Sequence, residues 1–91
     1  MNEPDVRLRA LVGLLAEHSV QTVVLTQGGA SRELHARITD LPKELEAIAR
    51  DGGDVEVPQL GAVIRFSGAD VRCECADPAI SIAILKSLAQ R

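Results

Sequence analysis

The chain has 91 residues, 46% hydrophobic and 25% charged, with a net charge of −3 at pH 7. That length suits one domain, 1–91, and the charge balance offers no general attraction to phosphate backbones or anionic membranes. No apolar run approaches the roughly 20 residues of a membrane span, and MNEPDVRLRA at the start lacks the basic and apolar regions of a secretory signal, so a cytoplasmic protein is expected.

The first predicted element is a lead helix over about residues 4–18, with Val6, Leu8, Ala10, Leu11, Val12, Leu14 and Leu15 spread over a wide apolar arc. The stretch VVLTQGGASRELHARIT, residues 23–39, follows and has two readings. As a helix, residues 30–39 place Ala30, Leu34 and Ile38 on one stripe, and Gly28-Gly29 becomes a glycine loop before a helix N-terminus that could bind phosphate. As a strand, Leu34, Ala36 and Ile38 point inward, and Glu33, His35, Arg37 and Thr39 point outward.

The strand reading is favoured. TDLPKEL looks like a fresh helix start, with Thr39 or Asp40 as N-cap and Pro42 in the first turn. A residue before proline avoids the α region, so an incoming helix would stop near Leu41. A four-residue loop over 28–31 puts Leu25 opposite Leu34 and Val23 opposite Ala36, with Thr22, Thr26, Glu33 and Arg37 on the other face. The phosphate reading also lacks a Gly-x-x-x-x-Gly-Lys-Ser/Thr pattern and a nearby lysine.

A second helix, PKELEAIARDGG, is ended by Gly52-Gly53, and DVEV at 54–57 is a candidate extra strand. A second hairpin then matches Ala62, Ile64 and Phe66 with Val71, Cys73 and Cys75 across Ser67-Gly68-Ala69-Asp70. Asp77 as N-cap and Pro78 as first helical residue open a last helix running to the C-terminus. The expected fold is α+β, a lead helix and two β-hairpin–helix units (α-ββα-ββα), with a mainly antiparallel sheet covered by helices on one face. Phe66 is the only aromatic residue, so the core is expected to be aliphatic.

Cys73 and Cys75 alternate with charges and would point the same way, with Cβ atoms nearly 7 Å apart, against the roughly 3.8 Å of a disulfide. Buried, reduced thiols are expected; half of a metal site completed by His18 and His35 is the weaker alternative. His18 ends the lead helix, His35 falls on the outer face of the first hairpin, and Ser19 and Ser31 have no nucleophile-elbow context. Glu17, Asp40, Glu44 and Glu46 sit near helix ends or on polar faces, and no pair converges by spacing. Neither catalytic nor metal residues nor a cofactor are therefore expected. Basic residues are interleaved with acids, and a local patch of Arg32, Arg37 and Lys43 is the main support for a nucleic-acid role.

LVGLLAEHSVQTVVLTQGGASRELHARITDLPKELEAI, residues 11–48, loosely resembles the small αββα docking domains at the ends of multienzyme synthases. The resemblance rests on pattern and implies a protein–protein docking role. The last helix points the same way: Ile80, Ile82, Ile84, Leu85, Leu88 and Ala89 cover an arc of roughly 200°, wider than an ordinary amphipathic stripe. The expected function is a non-enzymatic protein–protein interaction module, a small adaptor, accessory subunit or regulator, binding another protein or a second copy of itself. Its candidate surface is Ile82, Leu85, Ala89, Leu8 and Val12. A small nucleic-acid-associated regulator is the alternative.

Overall fold

Leu8, Leu11 and Leu15 recur at three- and four-residue spacing and are buried, forming the inner stripe of helix α1 (Val6–Glu17). A computed structural model describes residues 6–37, 40–68 and 70–89. Helix α1 ends on Ser19, which takes a left-handed φ of 55°. Ser19 N–H donates to Ala16 O at 3.0 Å and Val20 N–H donates to Leu15 O at 3.0 Å, the paired bonds of a Schellman ending.

Strand β1 (Thr22–Gln27) turns through Gly28-Gly29 into β2 (Ala30–His35), so the first segment is a hairpin. The register differs from the expected one by two residues: Val23 faces Leu34 and Leu25 faces Arg32. Both glycines have positive φ, 61° and 82°, and so accept a two-residue turn whose twist matches the strands, which makes a four-residue loop unnecessary. A two-residue slip preserves side-chain faces, so Leu34 stays on the helix side while Arg32 joins it there. Ala36 is buried as expected; Ile38 and Thr39 lie outside the described residues, as does Ala69.

Helix α2 (Leu41–Asp51) buries Leu41, Leu45 and Ile48 and carries Pro42 in its first turn. Gly52 ends it, and Gly53 opens strand β3 (Gly53–Val57). A short 3₁₀ turn, Pro58–Leu60, leads to β4 (Ala62–Ser67), then β5 (Asp70–Cys75) and helix α3 (Pro78–Leu88). Asp77 caps α3, its Oδ1 accepting from Ala79 N–H at 2.9 Å. The second hairpin keeps the expected register, with Ala62, Ile64 and Phe66 against Cys75, Cys73 and Val71.

The five strands form one antiparallel sheet in the order β2-β1-β3-β4-β5. The element order is helix, two strands, helix, three strands, helix, which corrects the α-ββα-ββα expectation. Strand β3 is the centre of the sheet. It pairs with β1 on one side and β4 on the other, and so joins two hairpins that would otherwise each keep an unpaired inner edge. Helices cover one face: α2 lies against β1, β3 and β4, α3 lies against β5, and α1 touches both α2 and α3. Between the layers sit the buried Val23, Leu25, Val55, Val57, Ala62, Ile64 and Phe66. Gln59 fastens the loop after α1, donating from Nε2 to Ser19 O at 3.0 Å and accepting from Gln21 N–H at 3.1 Å.

Candidate functional site

Helix α3 buries Ile84 and Leu88 and half-buries Ile80, yet leaves Ile82 60% and Leu85 39% exposed. Ile82, Leu85 and Ala89 are spaced three and four residues apart, so they share an outward stripe, and Ala89 is also exposed. The other two residues expected on this surface lie elsewhere. Leu8 is 1% exposed and belongs to the core, and Val12 is half-buried against it. The difference follows from position. Helix α1 is flanked by α2 and α3, which together cover a wide apolar arc, whereas α3 has α1 as its helical neighbour and β5 beneath it. Val6, which belongs to the wide arc expected on the lead helix but not to the candidate surface, is 41% exposed in the first turn of α1.

Strand β5 is an edge of the sheet. Val71, Cys73 and Cys75 face the helix side opposite Phe66, Ile64 and Ala62, but are only half-buried. The thiols expected in the core thus point inward without full burial, because a strand at the margin is covered less completely. Both cysteines are free thiols. Cys75 Sγ donates to Leu60 O at 3.5 Å. Partial burial raises the pKa of Cys73, and a hydrogen bond with Ser81 offsets part of the rise.

On the open face of the sheet, the register sets Glu33, Val24, Glu56, Val63 and Glu74 in one row across the strands. The adjacent row reads Ser31, Thr26, Asp54, Arg65 and Arg72. Acids and bases mix here, and Phe66, the one Phe, Tyr or Trp of the chain, is buried on the opposite face. Within the basic group expected near the first hairpin, Arg32 is tied to Glu44 of α2, while Arg37 and Lys43 are exposed.

His18 and His35 are both exposed, and His35 lines a depression of about 430 Å³ with Gln21, Thr22 and Arg37. Among the described residues no group of three or more His, Cys, Asp or Glu side chains is placed to hold a metal ion. No helix among them is long and apolar enough to cross a membrane.

No protein-family model matches the chain, and no curated protein or solved structure is similar enough to it to indicate kinship.

Proposed function

We propose that this chain is a non-enzymatic protein–protein interaction module, of the adaptor, accessory-subunit or regulator kind, that self-associates through the outer surface of α3. The observation that carries this reading is the exposure of Ile82 and Leu85, at 60% and 39%, on one stripe of a helix whose inner side is already packed. Large aliphatic side chains gain free energy when a partner removes them from water. Light scattering at about 10–50 µM, a range reached by moderately tight association, is expected to give twice the 9.7 kDa chain mass. Ile82→Asp and Leu85→Asp are expected to halve that mass while the circular dichroism stays that of the folded chain. A wild-type monomer across this range would remove the self-association reading.

A further inference from the structure

The two outer strands of the sheet are built differently. On β2, Arg32 points to the helix side opposite Leu25 and is held there by Glu44. A charge on the inward side of an edge strand obstructs pairing with another sheet, a common protection of free edges. On β5 the inward side chains are Val71, Cys73 and Cys75, all apolar or weakly polar and all half-covered. No strand among the described residues lies beyond β5.

The backbone of β5 is set for a further strand. Ser67 closes against Asp70 across a two-residue turn. In such a hairpin the closing residues exchange hydrogen bonds, and the alternation then directs the backbone groups of Asp70, Arg72 and Glu74 toward β4. Those of Val71, Cys73 and Cys75 point to the free edge.

The charges on β5 select the occupant. On the open face Arg72 stands directly opposite Arg65, an unfavourable like-charge pair. Arg65 is compensated by Glu74 at 3.4 Å, and among the described residues Arg72 has no carboxylate within ion-pair distance. Two antiparallel pairings of β5 with a second copy of itself overlap five of its residues and keep the helices of both copies on one face. Centred on Arg72, the pairing sets Arg72 against its own copy and Asp70 against Glu74, so every opposed charge is like. Centred on Cys73, it sets Arg72 against Glu74 of the second copy and Glu74 against Arg72 of the second copy, while Val71 meets Cys75. Both ionic contacts are then between opposite charges, and the half-covered inward side chains of the two strands cover one another.

Resting on the self-association reading above, we infer that the partner is a second copy of this chain, joined edge to edge through antiparallel β5–β5 pairing about a two-fold axis at Cys73, so that the two sheets become one. Helix α3 packs on β5, so the two copies of α3 lie on either side of the joint.

The test is a charge exchange read by native mass spectrometry and light scattering, with circular dichroism to establish folding. Arg72→Glu alone and Glu74→Arg alone each place like charges across the joint, and each variant is expected to be a folded monomer. Mixed in equal amounts, the two variants restore an opposite charge at both contacts, and a heterodimer is expected to form while neither variant dimerises alone. A mixture that stays monomeric overturns the proposal. Single variants that stay dimeric, while Ile82→Asp and Leu85→Asp dissociate, overturn the β5 joint and leave the α3 reading standing. A monomeric wild type overturns both.

Discussion

A Cβ placed on Gly53 would lie 2.5 Å from the carbonyl oxygen of Thr26 in the neighbouring strand. Gly53 also has a φ of 148°, so the centre of the sheet depends on a missing side chain in two ways. The hairpin glycine Gly28 has a φ of 61°, but nothing lies within 4 Å of its Cβ position. Gly53→Ala is therefore expected to cost at least about 2 kcal/mol, from backbone strain and the displacement of β1. Gly28→Ala bears only the conformational term, about 1 kcal/mol. Urea denaturation of both variants checks the order, and a larger loss at Gly28 would contradict this assignment of causes.

Ser19 ends α1 in the left-handed region. A non-glycine residue there costs about 1–2 kcal/mol, and glycine returns about 0.4–1 kcal/mol of that through greater freedom of the unfolded chain. Ser19→Gly is thus expected to stabilise the protein by about 0.5–1 kcal/mol, seen as a higher thermal midpoint. An unchanged or lower midpoint would show that the serine is not strained.

Asp40 and Asp77 look alike in the sequence, each shortly before a proline that opens a helix. Only Asp77 closes a cap bond, to Ala79 N–H; the side chain of Asp40 makes none. Asp77→Ala is expected to cost about 1 kcal/mol, whereas Asp40→Ala should stay within about 0.5 kcal/mol, as ordinary surface changes do. Equal losses in chemical denaturation would contradict the difference.

Cys73 has its pKa raised by partial burial. The native state therefore holds the proton at a pH where the unfolded chain has already released it, so the unfolded state binds fewer protons and stability falls as pH rises through the alkaline range. Alkylation of Cys73 in the folded protein should be slow at neutral pH and reach its half-maximal rate at a higher pH than in the urea-unfolded chain. Coincident profiles in the two states would show that burial does not govern this thiol.

The local elements were legible because their signals are local. Asp77-Pro78 marks a helix start wherever it falls, and the alternation of Val71, Cys73 and Cys75 with the charged Asp70, Arg72 and Glu74 states a strand and its inner face. The turn length of the first hairpin was less legible. Loops of two and of four residues leave Leu34 on the same face, so periodicity cannot separate them; the positive φ of both Gly28 and Gly29 does.

The sequence by itself determined the α+β class, the one-sided burial of the strands, the aliphatic core and the starts of α2 and α3, because each follows from side-chain period and backbone preference within a few residues. Tertiary structure alone decided that DVEV becomes the central strand, that Leu8 is buried while Ile82 is not, and that Cys73 and Cys75 lie at a margin of the sheet. The reason is that an apolar arc records how much surface an element must cover and carries no record of which neighbour covers it. That depends on strand order, and strand order is set by pairings such as Val55 with Leu25 and Ile64, residues distant in the chain that meet only once the sheet has closed around β3.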